Sequence, residues 1–386
     1  MSGMFDHLAL GFGVAFSGTN LLVALIGSFI GTIVGVLPGL GPVNGVAMLV
    51  PIAFAMGLPP DTALILLAAV YVGAEYGGRI TSILINVPGE AAAVMTTLDG
   101  YPMARQGLAS VALSLSAWSS FIGSLIAIIG ITAFAPFLAR WALAFGPAEY
   151  FVLMVFAFCA LTSLLGDQPV KGVLAAAIGL TIATVGVDSN SGVYRYTFDM
   201  PHLADGLDFV VVVIGLFAVA EMLQMLENKL SGISVEVPAS ERKLFNLKEL
   251  RFTAGSTARG GLLGFVIGVL PGAGASVASA VAYANEKRYS EGRDPNAKFG
   301  KGDMRGLTAP EAANNSAATG SFIPMLTLGV PGSGTTAVMM GALTLYNITP
   351  GPVLFDQQPE LVWGLIASMF ILSLIHISEP TRLLSI

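Results

Sequence analysis

Residues 35–42 read Gly35-Val36-Leu37-Pro38-Gly39-Leu40-Gly41-Pro42, and residues 268–275 read Gly268-Val269-Leu270-Pro271-Gly272-Ala273-Gly274-Ala275. Both stretches lie in apolar segments and share Gly-Val-Leu-Pro-Gly-X-Gly at an offset of 233 positions. Proline lacks a backbone N–H and glycine readily adopts positive φ, so each stretch ends one helix and begins another. The pattern predicts two apolar helices that are broken by Pro-Gly.

A second pattern recurs in the same order. Val87-Pro88-Gly89 precedes Ala93-Val94-Met95, and Val330-Pro331-Gly332 precedes Ala337-Val338-Met339. Two motifs in the same order and at similar spacing indicate a duplicated unit. Paired Gly/Pro interruptions in duplicated units are typical of the binding sites of membrane transporters. We therefore expect two internal repeats in inverted orientation, each with a Pro-Gly-broken helix or a re-entrant hairpin.

The composition is that of a membrane protein. Of the 386 residues, 54% are apolar and 11% are charged, and the mean hydropathy is +0.78. Soluble domains carry about 25% charged residues, so this chain has too few charges to cover a water-exposed surface. A crossing helix needs about 20 apolar residues, and apolar blocks recur along the chain. The predicted fold class is an all-α polytopic membrane protein in a lipid bilayer. The blocks cover residues 21–37, 43–57, 62–77, 108–135, 148–166, 170–187, 209–226, 261–285, 317–346 and 361–375.

Several function classes lack their signatures. The chain has no basic stripe with interleaved aromatic residues, so nucleic acid is not an expected partner. The three histidines, His7, His202 and His376, are far apart and the single cysteine is Cys159, so no metal-ligand spacing exists and no cofactor is expected. The chain contains no Gly-x-Ser-x-Gly and no His-Glu-x-x-His. The sequence therefore does not predict an enzyme.

Two loops carry most of the positive charge. Twelve of the eighteen basic residues lie between Lys229 and Arg305, in the stretches 227–259 and 286–308. The positive-inside rule places both loops in the cytoplasm. The arms flanking Pro271-Gly272 have about 11 and about 13 residues, or ~16–20 Å as helix, which is short of a ~30 Å hydrocarbon core. We expect a re-entrant hairpin over 260–285; the alternative is one broken crossing helix with one basic loop outside.

The broken helices suit an anionic ligand. After each break the new helix presents unpaired backbone N–H groups and the positive end of its dipole. Gly39, Gly41, Gly272 and Gly274 are therefore candidates for binding substrate carboxylates from opposite halves of the molecule. The alternative is that these glycines only allow close packing of helices.

The second motif pair reads Asn86-Val87-Pro88-Gly89-Glu90 and Gly329-Val330-Pro331-Gly332-Ser333-Gly334-Thr335-Thr336. The latter lacks the Lys-Ser/Thr ending of a nucleotide-binding P-loop. Its hydroxyl and carbonyl groups could bind a cation or a carboxylate, or the stretch could be a simple turn. Asn86 and Ser333 are candidate substrate ligands, and Thr335 is a candidate for sodium.

Ionisable residues at membrane depth are costly and usually functional. Glu75 and Arg79 lie four positions apart, on one face if the segment is helical. They could form a structural pair, with Arg79 also meeting substrate. Glu311 precedes Ala312-Ala313-Asn314-Asn315-Ser316, where Asn314 and Asn315 could bind substrate or sodium. A sodium ion is thus possible near Glu75, Glu311, Asn315 and Thr335. Five other ionisable residues are expected at headgroup level at segment ends: Asp61, Asp99, Arg105, Asp167 and Lys171.

Taken together, these motifs resemble the large membrane subunit of the tripartite tricarboxylate transporters, the TctA family. The most distinctive are Pro310-Glu311-Ala312-Ala313-Asn314-Asn315 and Leu328-Gly329-Val330-Pro331-Gly332-Ser333. The matching stretches are Gly31–Pro51, Ala74–Gly107, Gly260–Glu286 and Pro310–Pro352. The resemblance implies a multi-pass subunit of the bacterial inner membrane, with a small membrane subunit and a periplasmic solute-binding protein as partners. It implies symport of citrate-like tricarboxylates or other small organic acids, driven by a sodium or proton gradient.

The end of the chain departs from that family pattern. Family members continue with further membrane helices beyond the region of Phe370, whereas this chain reads Ser373-Leu374-Ile375-His376-Ile377-Ser378-Glu379-Pro380-Thr381-Arg382 and stops soon after. The expected organisation has four parts. They are a first membrane repeat with scaffold helices (1–226), a cytoplasmic basic loop (227–259), a truncated second membrane repeat (260–372) and a non-native tail (373–386).

The function expected from these residues is alternating access around a site between the two repeats. The glycine-rich tips would bind carboxylates and Arg79 would add positive charge. Asn86, Asn314, Asn315 and Ser333 would contact the substrate or the coupling ion. The alternative is a membrane scaffold that does not transport, or a channel subunit.

Overall fold

The structure is a computed structural model of the chain. It describes residues 2–144, 169–187, 193–198 and 244–378, together with scattered positions between 146 and 223. The sequence-based expectations for Cys159, Asp167, the block 209–226 (Leu223 excepted) and residues 227–243 of the first basic loop lie outside the described residues. The described helices are α1 (Ser2–Ala15), α2 (Gly18–Val36), α3 (Gly41–Ala55), α4 (Pro60–Ile85), α5 (Val94–Met103), α6 (Ala109–Ala142), α7 (Pro169–Ala183), α8 (Leu247–Val269), α9 (Gly274–Glu291), α10 (Met304–Gly320), α11 (Phe322–Leu328), α12 (Gly334–Leu345), α13 (Leu354–Gln357) and α14 (Pro359–Ser378).

Non-helical structure in this part of the chain is minor. A π-helical turn (Ala104–Leu108) with φ +77° at Gly107 joins α5 to α6. Strand β1 (Gly186–Val187) pairs antiparallel with β2 (Tyr194–Arg195), with Gly186 opposite Arg195, and a short 3₁₀ turn covers Pro201–Leu203. The all-α class is confirmed for the described residues.

Three of the described helical segments are long and apolar enough to cross a membrane: Gly18–Val36, Pro60–Ile85 and Val94–Ala142. Of these, α4 is buried over 94% of its apolar window, so it lies at the centre of the bundle. The main apolar cluster joins α3, α4, α6, α11, α12 and α14 around it.

Both predicted helix breaks are present. α2 ends at Val36 and α3 begins at Gly41, and α8 ends at Val269 and α9 begins at Gly274. The glycines in the breaks have positive φ: 89° at Gly39, 62° at Gly41, 77° at Gly272 and 66° at Gly274. An L-residue with a side chain is strained in this region. Glycine at these positions is therefore required by the backbone.

The chain folds back on itself at each break. Arg259 on α8 donates two hydrogen bonds to the Glu286 carboxylate on α9, of 2.8 and 2.7 Å. These residues lie at similar distances from the Pro271-Gly272 break, so α8 and α9 are antiparallel neighbours. In the first half, a Cβ on Gly45 of α3 would lie 2.9 Å from Val34 Cγ1 of α2. Each break therefore forms a helical hairpin.

The helix boundaries around the second hairpin correct one expectation. α8 begins at Leu247 and α10 at Met304, both inside stretches expected to be polar loops. Asn246 starts α8 through a capping box with Glu249, which satisfies two N–H groups and lets the helix extend into polar sequence. The arms have 23 and 18 residues rather than about 11 and 13. The argument from short arms was therefore wrong, although the chain does fold back.

Glycines let the first and third helices of each half approach closely. A Cβ on Gly35 of α2 would lie 2.1 Å from the Ala74 carbonyl oxygen of α4, and a Cβ on Gly268 of α8 would lie 2.5 Å from that of Ala317 of α10. Small residues allow such contact between membrane helices. Within each half these two helices run parallel. The other glycines with the same role are Gly27 and Gly31 in α2 and Gly260 and Gly264 in α8.

The two halves meet where α4 crosses α10 and α11. Tyr71 Oη lies 3.5 Å from Ser321 Oγ, whereas Arg79 Nη1 lies 3.3 Å from Glu311 Oε2. Residue numbers rise along α4 as they fall along α10, so the two helices are antiparallel at this crossing.

Asp99 ties the loop before α10 to the first half. Its Oδ1 accepts hydrogen bonds from the backbone N–H groups of Gly300, Gly302 and Asp303, of 2.9, 2.9 and 2.8 Å. Its Oδ2 accepts one of 3.0 Å from the Tyr283 hydroxyl. The side chain is 0% exposed, so Asp99 is a buried anchor for this polar loop, and its position at headgroup level stays a prediction.

Candidate functional site

An ion pair occupies the crossing of α4 and α10. Arg79 Nη1 lies 3.3 Å from Glu311 Oε2, and the two side chains are 1% and 0% exposed. α4 supplies the arginine and α10 the glutamate, so the pair joins the two halves of the chain. Removing charges from water is costly, and a buried pair persists only with additional hydrogen bonds.

Polar groups of α5 and α6 provide those hydrogen bonds. The Ser120 hydroxyl donates to Glu311 Oε2 at 3.1 Å, and the Thr96 hydroxyl donates to Glu311 Oε1. Arg79 Nη1 also donates to the Ser116 carbonyl oxygen at 2.9 Å and to Ser120 Oγ. The Arg79 guanidinium lies 3.5 Å from the ring centroid of Tyr76. Both charges are thus fixed in position from several helices.

One side of the guanidinium remains available. Arg79 Nη2 is buried and has no hydrogen-bond partner among the described residues. A buried N–H group normally has a partner. Guanidinium groups bind carboxylates in a planar, two-pronged geometry. Arg79 can therefore accept a carboxylate ligand while it keeps Glu311.

Glu75 and Arg79 do not form the expected structural pair. Arg79 pairs with Glu311, 232 positions away in sequence. Glu75, one turn before Arg79 on α4, faces Glu90 and Asn314 instead. The local spacing was correct, but serine and threonine groups on α5 and α6 hold Glu311 within reach of the arginine.

A second polar cluster adjoins the ion pair. The carboxyl groups of Glu75 and Glu90 face each other, and Asn314 Nδ2 donates to Glu90 Oε1 at 3.2 Å. Glu90 lies across α4 at Gly78, where a Cβ would come 2.6 Å from Glu90 Cγ. A Cβ on Gly41, at the start of α3, would lie 3.9 Å from Glu90 Cβ. The first tip glycine and this acidic cluster are neighbours.

A matching cluster lies at the start of α12. Ser333 is the N-cap of that helix, and its Oγ lies 3.2 Å from the Tyr71 hydroxyl. Tyr71 also lies 3.5 Å from Ser321 Oγ. Ser333, predicted as a substrate ligand, is thus linked through Tyr71 to the same face of α4 that carries Glu75.

The break glycines make equivalent backbone contacts in the two halves. Gly39 N–H donates to the Gly89 carbonyl oxygen, and Gly272 N–H donates to that of Pro331, both at 3.2 Å. In this conformation these N–H groups donate to the Pro-Gly loop of the same half, so a carboxylate could use them only after that contact opens. Gly274 has free space around the position of its Cβ.

Three other predicted residues lie in different surroundings. Asn315 is buried, and its Nδ2 donates to Ser120 Oγ at 2.8 Å and to the Glu311 carbonyl oxygen at 3.2 Å, so it supports the ion pair. Asn86 caps α4 with φ +59°, and its side chain is exposed. Thr335 is buried in the first turn of α12. The structure brings Asn315 to the site and leaves Asn86 at its edge.

Several residues of the site were not predicted: Tyr71, Tyr76, Glu90, Thr96, Ser116 and Ser120. Glu90 carried a signal, because it follows Val87-Pro88-Gly89 as Ser333 follows Val330-Pro331-Gly332. The serines of α6 carried none, since serine is common in membrane helices and only packing shows which ones face Glu311.

No group of three or more metal-ligating side chains (His, Cys, Asp or Glu) occurs among the described residues. The residues proposed for sodium come from three helices: Glu75 lies on α4, Glu311 and Asn315 lie on α10 beside Ser120, and Thr335 lies on α12. The sodium site stays a prediction.

Comparison with known proteins gives the family. The sequence model of the tripartite tricarboxylate transporter TctA family matches residues 21–378. The chain belongs to the TctA family. A relative from Agrobacterium vitis, named "Uncharacterized 52.8 kDa protein in TAR-I ttuC' 3'region", is 41% identical over 371 residues, covering 96% of this chain and 73% of the relative.

A second A. vitis protein, "Uncharacterized protein in TAR-II ttuC' 3'region", is 50% identical over 108 residues, or 28% of this chain and 43% of that protein. No solved structure matches the chain. The TctA match extends through α14, which includes residues 373–378 of the stretch expected to be a non-native tail.

Proposed function

We propose that this TctA protein is the translocating subunit of a secondary transporter for tricarboxylates or related organic acids. In this proposal it is a multi-pass protein of the bacterial inner membrane, without enzyme activity. A periplasmic solute-binding protein delivers the acid, a small membrane subunit completes the complex, and a sodium or proton gradient drives uptake. The family assignment supports a tripartite transporter subunit; the other elements are proposals.

The observation that carries the proposal is the buried Arg79. Its Nη2 lacks a partner among the described residues, and Glu311 holds Nη1 at the crossing of the two halves. Ionisable groups at membrane depth are costly and mark ligand pathways. An acid with several carboxylates suits such a site, because one carboxylate would pair with Arg79 and the others with donors nearby.

The contacts between the halves favour inverted repeats. The hairpin residues correspond at an offset of 233 positions, and the Pro-Gly loops that follow correspond at 243. On the second offset Glu90 matches Ser333, and Tyr71 matches Asn314. The contact of Tyr71 with Ser333 then corresponds to the contact of Asn314 with Glu90. A pair of contacts that exchange partners in this way is expected of two antiparallel copies of one unit.

This symmetry provides a route to alternating access. Each hairpin tip contacts the Pro-Gly loop of its own half through one backbone hydrogen bond, and the ligand-binding arginine lies between the halves. If one half rocks against the other, the site opens to one side at a time. Arg79 would then reach the substrate without leaving the centre of the bundle.

Uptake of radiolabelled citrate by cells that express the chain with its two partner proteins tests the proposal. We expect saturable uptake that requires both the binding protein and an ion gradient, and that is lost in Arg79→Gln. Arg140→Gln, at the exposed end of α6, is the matched control and should transport normally. Uptake that does not saturate would favour a channel. Absence of citrate uptake, despite correct insertion of the protein into the membrane, would favour a scaffold.

A further inference from the structure

Glu75, Asn314 and the partly exposed Glu90 form a cluster with more hydrogen-bond acceptors than donors. Glu75 and Asn314 are 2% and 1% exposed. Neither Glu75 Oε2 nor Asn314 Oδ1 receives a hydrogen bond from a donor group of the described residues. Buried acceptors almost always receive a hydrogen bond, so the cluster lacks at least one hydrogen-bond donor.

The surrounding charges do not compensate two carboxylates. Glu311 on α10 faces both acids and adds negative charge. The nearest described cation, Arg79 on α4, is used by Glu311. The other titratable group facing the pair is Tyr71 on α4. Asp99 on α5 faces Tyr283 on α9, and Arg259 on α8 faces Glu286. The segments α2, α3 and α12 contain no Asp, Glu, Lys, Arg or His.

A single proton resolves both problems. Two carboxylates this close cannot both stay ionised away from bulk water, so one of them is protonated and its O–H can donate to the other. One proton also supplies the missing donor.

We infer that Glu75 and Glu90 are the proton-binding site through which uptake is coupled to the proton gradient. This inference rests on the proposed function. In the described conformation one carboxylic acid O–H donates to the other carboxylate. When the halves rock, Asn314 of the second half leaves Glu90 and water reaches the acid pair, so the O–H bond breaks and the proton passes to water on the cytoplasmic side. Two carboxylates remain, and their repulsion favours return to the protonated form from the periplasmic side.

The two halves differ at this point in a way that supports a single proton site. In the matched position, Ser333 contacts Tyr71 through hydroxyl groups, which can donate and accept without a change of charge. Only the Glu90 side carries an acid. The two contacts are therefore matched in position, but only the contact of Glu90 with Asn314 includes a group that can change its charge.

Proteoliposomes that contain the chain with its partner proteins test the inference. Uptake of radiolabelled citrate, malate and succinate is measured with and without an imposed acid-outside pH gradient. A pH dye trapped inside the vesicles reports proton entry. The wild-type protein should take up an acid together with protons, and the ratio of uptake with and without the gradient should exceed one. In Glu75→Gln and Glu90→Gln this ratio should fall to one. Glu291→Gln, which is 48% exposed, is the control and should keep the wild-type ratio.

An infrared measurement keeps the test independent of transport. The C=O stretch of a protonated carboxyl group should be present at neutral pH in the detergent-solubilised wild type and reduced in both glutamine variants. Uptake driven by sodium without proton movement, or an unchanged ratio and unchanged infrared band in both variants, would overturn the proton site alone. Failure of the wild type to take up or exchange any of the acids would overturn the proposed function and the inference with it.

Discussion

Arg79 and Glu311 are oppositely charged residues buried at the crossing of α4 and α10. Both charges are removed from water, and their attraction compensates only because Ser120, Thr96 and the Ser116 carbonyl complete the hydrogen bonding. Loss of one partner leaves an uncompensated buried charge, which costs far more than the pair itself contributes.

Replacement of one member of this pair should therefore destabilise the protein strongly. We expect Arg79→Met or Glu311→Met to lower the free energy of unfolding by about 3–5 kcal/mol. The double variant should lose less than the sum of the two, because no charge is then left alone. Thermal unfolding in detergent measures both effects.

The pair Lys287–Glu291 is the control for that cycle. It is separated by 4.0 Å, and its side chains are 46% and 48% exposed, so glutamine at either position should change stability by only about 0–1 kcal/mol. Additive losses in the Arg79 and Glu311 double variant would contradict the interpretation.

Asp303, in the loop between α9 and α10, is an acid whose stabilising role depends on pH. Burial alone would raise its pKa. Hydrogen bonds from the Arg305 guanidinium and from the backbone N–H groups of Lys298 and Arg305 outweigh burial and lower the pKa below 3.8. A folded-state pKa below the unfolded value means that ionised Asp303 stabilises the fold.

The sign of the pH dependence follows. The contribution of Asp303 is complete above its unfolded pKa of 3.8 and is lost as pH falls through the lower folded value. Asp303→Asn should therefore be less stable than wild type at neutral pH, and the two stabilities should converge in acid. Arg305→Met should weaken the same pH dependence from the partner's side. A gap between wild type and Asp303→Asn that stays constant down to the lowest pH would contradict the assignment.

At the scale of helices, glycine sets the distance between the first and third helices of each half, α2 with α4 and α8 with α10. The glycines of α2 and α8 contact backbone atoms of α4 and α10 directly. Such contact gains dispersion energy along the whole length of a helix pair, which is the main attraction between helices in lipid. A methyl group at these positions must push the helices apart.

Gly264→Ala should therefore be destabilising. Its Cβ would lie 2.4 Å from the Ala313 carbonyl oxygen and 2.6 Å from Ala313 Cα, so backbone must move, at a cost of about 1–3 kcal/mol. Gly13→Ala in α1, where no atom lies within 4 Å of the added Cβ, is the control. It should be neutral or stabilising by about 0.5–1 kcal/mol, because alanine is the better helix former. Equal thermal shifts in the two variants would refute the packing explanation.

At the scale of the whole molecule, the two halves also touch at several points outside the central crossing. One of them is the contact of α3 with α12, where a Cβ on Gly334 would lie 3.4 Å from Val43 Cγ2. If transport requires the halves to rock, this distance must change during each cycle.

A cross-link at this contact should stop transport. In a Cys159→Ser background, Val43→Cys with Gly334→Cys should form a disulfide under oxidation, because the two side chains come within bonding range. Citrate uptake should fall on oxidation and recover after reduction, while each single cysteine variant is unaffected by oxidant. Full uptake by the cross-linked protein would show that the halves do not separate here.

Local features of this protein could be predicted from the sequence. The composition predicted a membrane protein because 11% charged residues are too few to cover a surface exposed to water. The Pro-Gly breaks were predicted because positive φ at Gly39 and Gly272 and the missing proline N–H act within a few residues. The sequence also singled out four candidate site residues, because polar groups in apolar segments are costly to bury and usually functional. They are Arg79, Glu311, Asn314 and Asn315.

Only the packed structure shows which partners these residues take. Glu75 lies one turn from Arg79, yet Arg79 pairs with Glu311, which is 232 positions away in the sequence. Glu75 instead faces Glu90, in the loop that follows α4. Asp99 likewise became a buried anchor for a distant loop. Helical spacing defines which residues share a face, but hydrogen bonds to buried charges are satisfied by whichever helix packs against that face. That choice depends on the arrangement of the whole bundle.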